Sequence, residues 1–81
     1  MKISVECSLY PLDKDYLAPI EHFIKSINTH EKIDIETNNM STQIYGDYKD
    51  VIKILDSSIF ETFKRNEKIV IIIKMVNTNL N

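Results

Sequence analysis

Cysteine and any excess of basic charge are scarce in this sequence, and each shortage excludes something. Cys7 is the single cysteine among 81 residues, so no internal disulfide can form. Small secreted domains lean on several cysteines, so a reducing compartment is expected. Lysine and arginine number 10 against 12 acidic residues, a net charge of −2 with the signs mixed along the chain. A nucleic-acid footprint needs a basic face and a membrane surface a polybasic run; neither is present. The longest apolar run, Ile69 to Ile73, is too short to span a bilayer. The start, Met1-Lys2-Ile3-Ser4-Val5-Glu6, lacks the apolar core and cleavage site of a signal peptide. A cytoplasmic location is the expectation. There is no linker and no low-complexity segment, so residues 1–81 are expected to form a single domain. A chain this short buries a modest core, which makes an oligomer a reasonable default.

What is present is hydrophobic periodicity. In residues 2–10, Ile3, Val5, Cys7 and Leu9 alternate with Ser4, Glu6, Ser8 and Tyr10, the pattern of a half-buried strand ended by Pro11. Residues 15–28 place Leu17, Ile20, Phe23, Ile24 and Ile27 at helical spacing, with Asp13 or Asp15 as N-cap and Pro19 in the first turn. Residues 32–37 alternate again, with Ile33 and Ile35 inward. Asn38-Asn39 suits a tight hairpin turn, because asparagine tolerates positive φ. The return strand covers 40–46 and breaks at Gly46-Asp47. Asp47 with Asp50 resembles a capping box. It opens a second helix whose inner stripe is Val51, Leu55, Ser58, Ile59, Thr62 and Phe63. A last strand covers 67–76, and Asn77 to Asn81 read as a frayed tail.

The order βαββαβ predicts an α+β, ferredoxin-like fold. Two helices lie on one face of a four-stranded antiparallel sheet, with strand order 4-1-3-2. The last strand, Ile69-Val70-Ile71-Ile72-Ile73, is apolar on both faces. Such a strand needs cover on both. The helices are expected to supply one side and a second subunit the other.

In this topology the end of the first strand meets the start of the third. The hairpin lies at the same end. Ser8, Tyr10, Asn38, Asn39, Ser41 and Thr42 gather there, a set of hydroxyls, amides and one aromatic ring. Ser8-Leu9-Tyr10-Pro11 resembles the motif that ends the first strand of YkoF-like thiamine-binding proteins. Met40-Ser41-Thr42-Gln43-Ile44-Tyr45-Gly46-Asp47 resembles their Ser-Thr-containing third strand, closing on glycine before a helix. The resemblance runs over nearly the whole chain. It implies a non-catalytic domain binding thiamine or its hydroxymethylpyrimidine moiety, assembled as a homodimer or homotetramer through sheet faces. It carries Ser41 and Thr42 over as pyrimidine contacts, with Tyr10 and Ser8 as motif members. Glu6 and Asn38-Asn39 depart from the tandem members' pattern.

The chemistry is compatible. An aminopyrimidine offers a donor amine, acceptor nitrogens and a flat face, which hydroxyls, amides and a tyrosine ring can meet. The thiazolium is cationic, and Glu6 or Glu36 is a candidate neighbour. Against this, hydroxyls on strands commonly bond nearby backbone, asparagines serve turns, and strand tyrosines pack on sheet faces. Successive strand residues point to opposite faces, so Ser41 and Thr42 share a pocket only if the strand starts late or bulges. Cys7 reads as a buried inert thiol. His22 and His30 lack companions at ligand spacing, so no metal site is expected. Nothing resembles an activated nucleophile, so no enzyme is expected. The alternative is a regulatory or assembly domain of the same fold that binds another small ligand, such as an amino acid.

Overall fold

A computed structural model describes residues 1–12, 14–28 and 32–81. The suggested cap Asp13 and the loop residue His30 lie outside the described residues. The elements are β1 (Lys2–Pro11), α1 (Leu17–Ile27), β2 (Asp34–Thr37), β3 (Thr42–Asp47), α2 (Tyr48–Arg65) and β4 (Ile69–Val76). The sheet is antiparallel in the order β2-β3-β1-β4, with both helices on one face, the ferredoxin-like arrangement.

Alternation on β1 sorts the two faces. Ile3, Val5 and Cys7 are buried together with Ile44 of β3, Phe23 and Ile27 of α1, and Val51, Ile54 and Leu55 of α2. Ser4, Glu6, Ser8 and Tyr10 lie on the opposite, open face. The inner stripe of α1 runs Pro19, Phe23, Ile27, a four-residue step that starts at the proline. Leu17 falls outside it and is exposed, contrary to its expected inward position. In α2 the buried set is Val51, Ile54, Leu55, Ser58 and Thr62. Phe63 lies one helical step of 100° beyond Thr62 and is exposed rather than inward.

Both expected caps take another form. Tyr16 is the N-cap of α1, and Asp15, one residue earlier, accepts a bond from the Ala18 N–H at 3.4 Å. Asp47 does occupy the N-cap of α2 in an extended conformation, but its carboxylate makes no capping bond, so the Asp47–Asp50 box is absent. The carboxylate turns instead to the Met1 ammonium at 3.9 Å and to Lys2 Nζ at 3.5 Å. Two nearby cations outcompete the helix N–H groups for it.

The hairpin is not the tight two-residue turn expected from Asn38-Asn39. Thr37 pairs with Thr42, leaving a four-residue loop, and no described residue has positive φ. Asn38 closes the loop in another way. Its N–H donates to the Ser41 carbonyl at 3.1 Å, and its side-chain oxygen accepts from Met40 N–H at 2.8 Å and Ser41 N–H at 3.1 Å. This is the side-chain mimicry of a turn that asparagine offers. Gly46 lies inside β3, opposite Ile3, rather than breaking the strand.

The tail is not frayed. Ser4, buried on the open side, donates to the Thr78 carbonyl at 2.7 Å and accepts from Leu80 N–H at 2.9 Å. The C-terminal segment therefore crosses the Ser4 end of the open face. β4 has less cover than expected on the helix side too. Ile73 and Met75 project there, yet are 36% and 50% exposed, because β4 is an edge strand beyond the reach of the helices. Among the described residues no helix is long and apolar enough to cross a membrane.

Candidate functional site

The first strand, the hairpin and α1 enclose a cavity of about 220 Å³ at the hairpin end of the sheet. Of the seven residues singled out from the sequence, Ser8, Tyr10, Asn38, Asn39, Ser41 and Thr42 line it, and Glu6 does not. Cys7 and Thr42 are paired across β1 and β3, both buried on the helix side, and form the polar floor with Thr37. The hydroxyls of Thr37 and Thr42 are 3.3 Å apart, and either can donate to the other. Ile20, Phe23 and Ile24 of α1 supply an apolar wall. The alternation that buries Cys7 sends Ser8 and Tyr10 outward, so they border the opening.

Ser41 and Thr42 do not present their side chains to one place. Thr42 is the first residue of β3 and lies buried on the helix side. Ser41 precedes it, and its hydroxyl donates to Glu6 Oε2 at 2.8 Å on the open face. Gln43 Nε2 donates to the same serine oxygen, and Asn38 Nδ2 donates to Gln43 Oε1 at 3.4 Å. Glu6 Oε1 meets Lys74 Nζ at 2.9 Å. The hydrogen bond from Lys74, then that from Ser41, and the lysine charge hold the Glu6 carboxyl below its ordinary pKa, and Glu6 in turn raises Lys74. Burial, reinforced by the Glu6 charge, pushes the Cys7 thiol up to about 11. Cys7 is therefore a neutral wall group near pH 7.

The sequence reading missed Gln43, Lys74 and Thr37. Lys74 carried a signal, being the lone charge within the apolar run of β4. Gln43 and Thr37 needed the register. Antiparallel pairing puts Glu6 opposite both Gln43 and Lys74, and Thr37 opposite Thr42. Among the described residues no group of three or more metal-ligating side chains converges.

Known structures share this architecture. A protein from Streptococcus pneumoniae superposes with a TM-score of 0.89 at 18% identity, covering 99% of this chain and 90% of its own. A Thermotoga maritima protein, named for a suggested part in thiamine biosynthesis or salvage, gives 0.87 at 13% identity, covering 100% and 90%. A hypothetical protein from Methanocaldococcus jannascii gives 0.80 at 21% identity, covering 99% and 84%. At these identities the likeness shows the fold. No curated protein matches the sequence. The family model of YkoF-related proteins matches residues 2–79, and the chain belongs to that family.

Proposed function

We propose that the chain binds the hydroxymethylpyrimidine ring of thiamine, or the free pyrimidine, in the hairpin-end cavity, as a non-catalytic carrier, buffer or sensor in the cytoplasm. The observation that carries this reading is the cavity itself. It joins a hydroxyl floor at Thr42 and Thr37 to an apolar wall at Phe23. Few placed polar groups against apolar surface is the usual small-molecule pattern. Its volume of about 220 Å³ lies below the range of about 300–1,000 Å³ for sites that enclose drug-sized ligands. One heteroaromatic ring suits it better than a whole two-ring molecule. Membership of the family and the thiamine-related name of the Thermotoga maritima protein support the choice of ring.

Assembly belongs to the same proposal. The C-terminal segment already occupies the Ser4 end of the open face. A second copy is left with the part carrying Tyr10, Val70 and Ile72, which are 50%, 44% and 52% exposed. Elution as a strict monomer with a stable fold would overturn this assembly.

The test of the ligand is isothermal titration of hydroxymethylpyrimidine and thiamine, with an unrelated cation as control. Saturable binding of the first two, but not the control, is expected. Stabilisation by an amino acid alone would replace the reading with a regulatory module.

A further inference from the structure

The open face carries a second cavity, of about 330 Å³, between two rows of cross-strand neighbours. One row reads Glu36, Gln43, Glu6, Lys74 across β2, β3, β1 and β4, and the next reads Asp34, Tyr45, Ser4, Val76. Of the three carboxylates in these rows only Glu6 lines the cavity; Asp34 accepts from Asn81 Nδ2 at 3.3 Å. Glu6, Tyr45 and Lys74 line the cavity, and Leu80 walls it, held there through Ser4. A carboxylate, an aromatic ring and an apolar wall are the parts with which proteins take up organic cations.

Lys74 bears on how the cavity works. Its ammonium lies 2.9 Å from Glu6 Oε1, yet its side chain is 76% exposed. Exposed pairs of this kind contribute little net stability and exchange readily. The other carboxylate oxygen is held separately by Ser41, which is itself bonded by Gln43. Glu6 thus keeps its orientation when the lysine leaves. The plain alternative is a cross-strand ion pair that only supports the sheet. That alternative accounts for the Glu6–Lys74 contact. It leaves the adjoining aromatic and apolar walls without a role.

We propose that this cavity is an organic-cation site in which Lys74 is the chain's own occupant, displaced from Glu6 by a ligand ammonium. The site goes beyond the pyrimidine reading and stands apart from the hairpin-end cavity. Ser41 connects the two, since it lines the hairpin-end cavity and bonds to Glu6. A second copy seated over Val70 and Ile72 would lie on the other side of Lys74 from Ser4 and Leu80.

The experiment titrates benzyltrimethylammonium into the protein and into the Lys74→Met, Lys74→Gln and Glu6→Gln variants. NMR follows the methyls of Val76 and Leu80 and the ring of Tyr45. In the native chain those signals shift saturably. Both Lys74 variants should bind the cation up to about fivefold more tightly, the equivalent of the exposed pair they remove. Glu6→Gln should abolish the shifts. Neopentylbenzene, the neutral carbon isostere, should not bind. Unmoved signals, or affinity unchanged or weakened in both Lys74 variants, would overturn the site. Hydroxymethylpyrimidine, added in parallel, keeps the two readings apart. Its binding tests the hairpin-end cavity and should be the same in both Lys74 variants.

Discussion

Ser41 and Thr42 are adjacent in the chain and serve opposite faces of the sheet. The Ser41 hydroxyl donates to Glu6 on the open side, whereas Thr42 is buried against Thr37 on the helix side. Thr42→Val should therefore weaken hydroxymethylpyrimidine binding by about fivefold, one net hydrogen bond of about 1 kcal/mol. Ser41→Ala should cost less for the pyrimidine. Calorimetry on both variants checks this, with thermal melts to show that the fold persists. Equal affinities in native chain and Thr42→Val would remove the threonine from the site.

Asp47→Ala should destabilise the chain by less than about 1 kcal/mol. Its carboxylate makes two exposed ion pairs and no capping bond. Such pairs contribute about 0–1 kcal/mol and are screened by salt. Urea titration at low and high ionic strength measures the loss, which should shrink as salt rises. A salt-independent loss of more than 1 kcal/mol would mean that the side chain caps α2 in solution.

Gly46→Ala should cost about 1–3 kcal/mol, the range for overpacking a filled core. A Cβ at Gly46 would stand 3.0 Å from Ile33 Cγ2 and 3.4 Å from Val51 Cγ2. Close approach, and not a left-handed backbone, is what demands glycine here. The double variant Gly46→Ala, Ile33→Leu, which removes the Cγ2 branch at similar volume, should recover part of the loss in the same urea titrations.

Ser4→Ala should release the C-terminal segment. The hydroxyl bridges the Thr78 carbonyl and the Leu80 N–H, and its loss leaves both without that partner. Hydrogen exchange at Leu80 should accelerate well before exchange in the body of the sheet. Unchanged protection at Leu80 would show that the segment is held by other contacts.

Alkaline stability should depend on Cys7. Its folded pKa is raised from 9.0 to about 11, chiefly by burial. Folding then favours the protonated thiol. Its contribution is fully present below pH 9 and is lost as pH rises towards 11, by at most about 2.7 kcal/mol. Cys7→Ala should flatten the stability profile across that window. On the acid side Glu6 contributes, because its folded pKa is lowered by the hydrogen bonds of Lys74 and Ser41 and by the Lys74 charge. Its contribution is present above the unfolded value of 4.5 and disappears as pH falls through the lower folded value. Lys74→Met should reduce that acid sensitivity.

The element order, and the end of the sheet where polar groups gather, are legible in the sequence, whereas the strand order is only the usual one for that element order until the strands pair. Alternation in residues 3–9 and the spacing of Phe23, Ile27, Val51 and Leu55 are local signals, because burying an apolar face fixes register and side. Tertiary structure decided what each polar side chain does. Asp47 chose between helix N–H groups and the cations of Met1 and Lys2, and Ser4 gained a tail more than 70 residues away in the chain. Only the pairing of β1 with β3 and β4 brought Gln43 and Lys74 beside Glu6. Hydrogen bonds and ion pairs are short-ranged and have alternative partners, so their outcome depends on distances that the pattern of apolar residues does not encode.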